Sequence, residues 1–421
     1  MTGWSTRCDV ELDELAAWLR LSLTTGVGNS SARKLLATFG LPQAIFEQSA
    51  LALEQVVSPA QAQALRSLPE GLSELADRTL AWLQRDLPGG LRRQLVTLGD
   101  RSYPTVLLNL DDPPLLLYLL GAASFKTNVP PAHTGHAPDA SYLVATLSMP
   151  ERLIDPTSSL ALVGSRNPTP QGLTNARRMA QSLVEAGVTV VSGLALGIDG
   201  AAHEGAIKGS GTVPTLGATV AVVGTGLDRV YPKAHRDLAH QIADVGLLVS
   251  EYPLGTPPLT ANFPRRNRLI AGLAQGTLVV EAALKSGSLI TARLTNEQGK
   301  DVFAVPGSIH AVQSRGCHAL IKQGAKLVES AQDIFEELHW PARLQPDTEN
   351  GAPCQDKHEA AGLSDHEGGV LAALGFDPVG LEVLQARTGL DTASLQAQLM
   401  TLELDGLVNG LPGGLFQRQK T

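Results

Sequence analysis

Cysteine is scarce. The 421 residues hold three (Cys8, Cys317, Cys354), far apart and odd in number. That excludes a disulfide scaffold and a CxxC metal site, and it matches a reducing cytosol. Charged residues are 18%, below the roughly 25% of an average globular chain. No long hydrophobic run exists: the longest apolar stretch, residues 115–123, falls short of the ~20 residues a spanning helix needs. The N-terminus carries Asp9, Glu11, Asp13 and Glu14 and lacks a basic start followed by an apolar core. No secretory signal is read, so a cytoplasmic location away from membranes is expected. Gly 42 and Pro 26 together stay below the level of collagen or low complexity. What is present is 43% hydrophobic residues, enough for buried cores in two or three domains of roughly 150 residues each.

The net charge of −8 hides an asymmetry. Residues 160–310 carry 13 Lys/Arg against 10 Asp/Glu, whereas residues 1–159 carry 12 against 16 and residues 311–421 carry 8 against 15. Only the middle third is electropositive, so an anionic ligand is expected there. The excess is small, and placement of the arginines matters more than their number.

Apolar residues three and four apart predict helices from residue 11 to about 90, in ELDELAAWLRLSL, SSARKLLATFG, LPQAIFEQ, PAQAQALRSL and GLSELADRTLAWLQRDL. Residues 95–121 read as a short extended connector. Residues 122–157, with Pro130, Pro131, Pro138, Pro150 and Pro156, read as a flexible insertion or linker. From residue 160 short apolar runs (160–163, 188–191, 219–223, 247–249, 277–280, 302–305) alternate with helix-length segments such as 171–186, 235–244 and 288–298. That pattern predicts a parallel sheet covered on both faces, closed by a last pair at 326–328 and 331–338. After a polar stretch, 341–362, the order of three short helices (366–374, 378–387, 392–405) and a Gly-rich strand pair (407–418) is that of a winged helix.

The loops after the strands of the middle region repeat one chemistry. The first holds Gly164-Ser165-Arg166-Asn167. The second holds Ser192-Gly193 and Gly197-Ile198-Asp199-Gly200, and the third Gly224-Thr225-Gly226. The fourth holds Ser250-Glu251-Tyr252 and then Asn262-Phe263-Pro264-Arg265-Arg266-Asn267-Arg268. The fifth holds Glu281 and Ser286-Gly287-Ser288, and the sixth Pro306-Gly307-Ser308. In a parallel α/β sheet all of these lie outside the carboxyl ends of the strands, the edge where such folds bind ligands. Glycines let backbone N–H groups approach an anion, and helix N-termini add partial positive charge. Any single loop is equally explained by tight turns and helix caps. Recurrence after five successive strands, with arginine in two of them, points to a phosphate or phosphodiester site. Arg265, Arg266 and Arg268 offer planar forks that match phosphate oxygens and stack on bases, although a solvated helix start would use the same residues. Lys233, after Tyr231-Pro232, adds a point charge from a neighbouring loop.

Several familiar motifs are missing. There is no GxxxxGK[ST], so P-loop nucleotide hydrolysis is unsupported, and Gly224-Thr225-Gly226 lacks the third glycine of the dinucleotide fingerprint. There is no GxSxG elbow. His235 and His240 lack carboxylate company, and His203 stands alone in AAHEG; they read as capping or surface residues rather than metal ligands. No catalytic set of acid, base and nucleophile emerges, and no metal or cofactor is expected.

Taken together, LALVGSRNPT (160–169), VVSGLALGIDGAAHEGAI (190–207), VGTGLDRVYPKAH (223–235), LVSEYPLGTPP (248–258), NFPRRNRLIAGLA (262–274), VVEAALKSGSLITARLTNEQGKDVFAVPG (279–307) and LIKQGAKLV (320–328) resemble the DNA-processing protein A family, also called Smf, across residues 160–330. YPTVLLNLDDPPLLLYLLG (103–121) resembles the family's lead-in to that domain. The resemblance implies an extended Rossmann-like domain that binds single-stranded DNA, dimerises, and helps load the RecA recombinase onto incoming strands in natural transformation, without enzymatic turnover. Carried over by motif, Arg166, Lys233, Arg266, Asn267 and Arg268 would hold DNA, with Ser192, Gly193 and Ser288 lining the same groove. Gly164, Ser165, Asn262, Arg265 and Ser286 join the expected interface. Three departures stand out. Residues 122–157 exceed the usual connector, the loop at 208–220 is extended, and Gly316-Cys317-His318 stands where the family has Gly-x-Asn, which leaves the role of His318 open.

The flanks are less specific. GVGNSSARKLL (26–36) resembles a helix–hairpin–helix, whose turn can aim N–H groups at a DNA phosphate; a plain helical packing module fits it as well. The helix expected over 392–405 contains Glu403 and Asp405 and no Lys or Arg, which favours a protein-contact or regulatory role over groove reading. The expected architecture is therefore α/β. It comprises a SAM-like helical domain (1–94), a connector with its insertion (95–159), a Rossmann-like domain (160–340), a linker (341–362) and a winged-helix domain (363–421). The expected function is a single-strand DNA-binding mediator that partners RecA as a homodimer. The alternatives are a nucleotide-processing enzyme, akin to the cytokinin-activating phosphoribohydrolases but lacking the Pro-Gly-Gly part of their PGGxGTxxE string, and a nucleotide-sensing scaffold.

Overall fold

A computed structural model of the chain describes residues 5–126, 152–340, 370–371, 373–374 and 378–419. The N-terminal stretch is helical: α1 (Ser5–Leu23), α2 (Asn29–Phe39), α3 (Pro42–Phe46), α4 (Ala50–Glu54), α5 (Pro59–Leu65) and α6 (Leu72–Gln84). Local chemistry sets their starts. Pro42 and Pro59 open α3 and α5, Ser49 accepts from the Ala52 N–H, and Ser58 and Gln61 form a reciprocal capping box. The apolar faces close over Trp18, Leu19, Leu35, Ile45 and Leu65, and the same core runs on into Leu116 and Tyr118 of the neighbouring sheet.

That sheet has nine described strands: β1 (Arg92–Thr97), β2 (Leu116–Gly121), β5 (Ser159–Val163), β6 (Thr189–Ser192), β7 (Thr219–Val222), β8 (Leu247–Ser250), β9 (Gly276–Val279), β10 (Asp301–Ala304) and β11 (Lys326–Leu327). Their order is β1-β2-β8-β7-β6-β5-β9-β10-β11. From β8 to β11 every pairing is parallel. Residues alternate between the two faces. Leu160 and Leu162 of β5 pack against Met179 and Leu183 of α7 (Pro170–Glu185) and Ala202 of α8 (Ile198–Gly209). Ala161 and Val163 pack with Leu269 and Ile270 of α10 (Asn262–Gly272) and Ala292 of α11 (Ser288–Glu297). Burial on both faces is why these strands read as unbroken apolar runs.

Residues 95–121 behave differently from the connector read in the sequence. β1 pairs antiparallel with β2, and β2 pairs antiparallel with β8, so the stretch extends the main sheet. Beyond it, β3 (Ala123–Phe125) and β4 (Arg152–Ile154) form a parallel pair; most of the proline-rich insertion between them lies outside the described residues.

The linker at 341–362 also lies outside the described residues, as does much of the helix expected at 366–374. At the C-terminus, β12 (Val379–Gly380), α14 (Leu381–Thr388), α15 (Thr392–Leu404), β13 (Val408–Leu411) and β14 (Leu415–Arg418) form a winged helix. Its strands run in the order β12-β14-β13 over a core of Leu384, Leu395, Leu399, Leu402 and Val408.

Candidate nucleic-acid interface

The chain runs outward from β5 through β6, β7 and β8, then returns to lay β9 against the other side of β5. The loops after β5 and β9 therefore diverge, and the crevice between them is the place where doubly wound sheets take ligands. A cleft of about 510 Å³ opens there. One wall is the β5 loop with Gly164, Ser165, Arg166 and Asn167. The other is Lys285, Ser286, Gly287 and Ser288 at the start of α11, and α10 supplies Phe263, Arg266 and Asn267.

The backbone can pass here because side chains are missing where it is crowded. A Cβ on Gly164 would lie 2.6 Å from Ile198 Cγ1 and 2.9 Å from the Glu281 carbonyl. The Ser165 N–H donates to that same Glu281 carbonyl at 2.7 Å, which ties the two walls together. The Glu281 carboxylate accepts from the Thr169 N–H (2.9 Å) and hydroxyl (2.5 Å) at the start of α7. Burial pushes the Glu281 pKa up, against the pull of those two bonds. Opposite, the Ser286 and Ser288 hydroxyls lie 2.7 Å apart.

Arg166 is exposed at the cleft rim, with its guanidinium carbon 5.7 Å from the Phe263 ring centroid. Phe263 in turn packs against Tyr231, centroids 5.5 Å apart and planes inclined by 36°. Tyr231 is 46% exposed, so the rim carries a cation beside an open aromatic face. Lys285 is exposed on the other wall.

The arginine run divides. Adjacent residues on a helix point to different sides. Arg265 is exposed and lies outside the cleft lining. Arg266 is buried and donates to the carbonyls of Gly193 and Val222. Burial lowers its pKa to about 10, with Asp199 opposing and Arg166 adding, so it stays charged at neutral pH. Asp199, buried beside it, accepts from the Ala195 N–H at 3.4 Å. Burial raises the Asp199 pKa, while Arg266, the N–H groups of Ala195 and Gly193, and Arg166 pull it down. Arg268 is ion-paired with Glu251 and lies 3.8 Å from Asp112. Asn267 accepts from Arg266 Nε at 3.1 Å and donates to the Gly287 carbonyl at 3.4 Å, bridging α10 to the α11 turn.

Other expected contacts lie behind or beside the cleft. Ser192 is fully buried and donates to the Leu162 carbonyl at 2.6 Å. A Cβ at Gly193 would overlap the Arg266 guanidinium. Asn262 is buried and donates to the Gly224 carbonyl at 3.0 Å. Lys233 is exposed but lines a neighbouring cavity, two residues past Tyr231. His318 sits 2.9 Å from the Gly307 carbonyl, away from the cleft lining. Sequence reasoning missed Lys285, Phe263, Tyr231 and Asp199 as parts of the site. Lys285 adjoins the serine–glycine turn already singled out, whereas the aromatic pair joins two distant loops. Among the described residues no group of three or more His, Cys, Asp or Glu side chains could hold a metal.

Comparison with known proteins adds independent findings. The family model described as DNA recombination-mediator protein A matches residues 150–339, and the DprA winged helix domain matches residues 355–414. Protein Smf of Escherichia coli (strain K12) is 36% identical over 407 residues, covering 96% of both chains. DNA processing protein DprA of Streptococcus pneumoniae (strain ATCC BAA-255 / R6) is 49% identical over 181 residues, 43% of this chain and 62% of that one. The X-ray structure of DNA processing protein A from Streptococcus pneumoniae superposes with a TM-score of 0.56 and 32% identity over 77% of this chain and 97% of that one.

Proposed function

Because the chain belongs to the DNA recombination-mediator protein A family, we propose that it binds single-stranded DNA at the β5/β9 cleft and acts as a recombination mediator. One observation carries the reading: the crevice at the turning point of the sheet gathers Arg166, Lys285, the Ser286–Ser288 turn and the N-terminus of α11 beside an open Tyr231–Phe263 pair. Cations and a helix N-terminus suit phosphate oxygens, and an aromatic face suits an unpaired base. Duplex DNA keeps its bases stacked inside, so the aromatic rim favours a single strand.

In this reading Arg166 and Lys233 touch phosphates, while the other expected residues line or back the cradle, except Arg265 and Arg268, which lie outside its lining. Arg266 holds the Gly193 and Val222 carbonyls, and Arg268 is neutralised by Glu251. Asp199 is occupied by Arg266 and backbone N–H groups, so it serves binding geometry rather than proton transfer. The mediator then hands its strand to a RecA recombinase during natural transformation and works as a cytoplasmic homodimer, without turnover.

The test is fluorescence anisotropy with a labelled oligothymidylate. Arg166→Ala and Lys233→Ala should each weaken binding severalfold, shift the log K against log salt slope by about 0.7 per lost contact, and leave the melting temperature unchanged. Unchanged affinity in both variants would refute the interface. Release of free base from nucleoside monophosphates would favour the nucleotide-processing reading instead.

A further inference from the structure

A second cavity, of about 820 Å³, lies where the end of the N-terminal helical region meets the sheet. Its size is within the range of small-ligand pockets. Its apolar lining includes Leu87 and Leu91, Leu120 of β2, Val223 just past β7, Leu248 of β8 and Trp82 of α6. The same lining carries five cations, Arg85, Arg93, Arg229, Lys233 and Arg236, and His240.

Among the described residues Asp228 is the only carboxylate of the lining. It is already engaged, accepting from the Gly255 N–H at 2.8 Å and lying 3.4 Å from Arg229. Among the described residues no ion pair is formed by Arg85, Arg93, Lys233 or Arg236. Arg93 is the most telling. Its guanidinium sits 5.2 Å from the Trp82 ring centroid and donates to the Trp82 carbonyl at 3.0 Å, yet among the described residues its buried Nε has no partner. Burial lowers its pKa and the like charge of Arg85 lowers it further. An apolar lining interspersed with the cations Arg85, Arg93, Lys233 and Arg236 fits a ligand with a flat apolar body and several negative charges, which is the chemistry of a nucleotide.

The cavity neighbours the proposed strand path through the segment that carries Tyr231 and Lys233. Tyr231 ends the aromatic rim of the cleft, and Lys233, two residues later, already lines the cavity. We propose that this cavity is a second nucleotide subsite, which takes one nucleotide of the single strand as it leaves the β5/β9 cleft past Tyr231. The inference rests on the single-strand reading of the cleft and deepens it: the N-terminal region would touch DNA through Arg85 and Arg93, a different face from the Gly26–Gly28 turn that resembles a helix–hairpin–helix.

The experiment uses the full chain and a labelled twenty-residue oligothymidylate. Arg85 and Arg236 are both exposed, so R85A/R236A should fold normally. It should weaken binding about tenfold at moderate salt and flatten the salt slope by roughly 1.4, the share of two phosphate contacts. The oligonucleotide should also quench tryptophan emission, and Trp82→Phe should remove that quench. Wild-type binding that R85A/R236A leaves intact, with no quench traceable to Trp82, overturns the subsite while sparing the cleft. Quenching by thymidine 5′-monophosphate alone, with oligonucleotide binding unaffected by R85A/R236A, overturns the strand path and assigns the cavity to free nucleotides. If the wild type binds no oligonucleotide at all, the reading of the cleft fails first and this one with it.

Discussion

The imidazole of His203 on α8 is fully buried, with Nδ1 2.8 Å from the Thr219 hydroxyl. That hydroxyl donates its own proton to the Val190 carbonyl at 2.8 Å, so it can only accept from His203. The proton of the neutral ring is thereby fixed on Nδ1, and Nε2 stays bare and unpartnered among the described residues. Burial, then His235 and Arg266, push the His203 pKa down to about 3. An unfolded histidine takes up its proton near 6.5. Below that pH the unfolded chain binds a proton the folded chain refuses, so stability falls as pH falls, by about 2 kcal/mol between pH 7 and pH 5. Glu251, Glu281 and Asp199, whose pKa values are raised, work in the opposite sense over the acid range. His203→Gln should therefore lose less melting temperature than wild type between pH 7 and pH 5. Parallel curves for the two proteins would sink this assignment.

At the scale of elements, one junction holds the cleft walls in register. Thr169 caps α7 by accepting from the Gly172 N–H at 3.0 Å, and its own hydroxyl and N–H donate to Glu281 beyond the end of β9. Thr169→Val keeps the shape but removes the hydroxyl, so it should cost about 1–2 kcal/mol in denaturant unfolding. A loss under a few tenths would show that the junction is held elsewhere. Much of this level was legible beforehand. The parallel strands stood out because both faces of each are buried, and the Gly- and Ser-rich loops stood out because strand ends in such sheets converge. The pairing of β1 and β2 was not legible. β1 begins Arg92-Arg93-Gln94 and shows mostly half-buried positions, and β2 borders β8, far along the chain. The arginine run misled for a related reason: sequence counts charges, but helical rotation and buried partners decided that Arg266 would face carbonyls and Arg268 would face Glu251. Nothing in the composition signalled the Tyr231–Phe263 contact, which depends on two loops meeting in space.

At the scale of the whole molecule, a net charge of −8 coexists with cations gathered at one edge of the sheet. Such a molecule attracts a polyanion only locally, so its affinity should be steeply sensitive to salt. With four to six phosphates neutralised, the slope of log K against log salt should be about −3 to −4, measured by anisotropy across a salt series. A slope near zero would mean that the strand is held by something other than its phosphates.

The antiparallel border formed by β1 and β2 has a practical consequence. Residues 150–339, the span that matches the family model, look separable on paper. Cut there, the chain would lose β2, and the row from Leu247 to Ser250 that now pairs with Gly121 to Tyr118 would be left raw along an apolar seam. A trimmed fragment would thus trade an internal partner for an adhesive rim and seek its missing neighbour in other copies of itself.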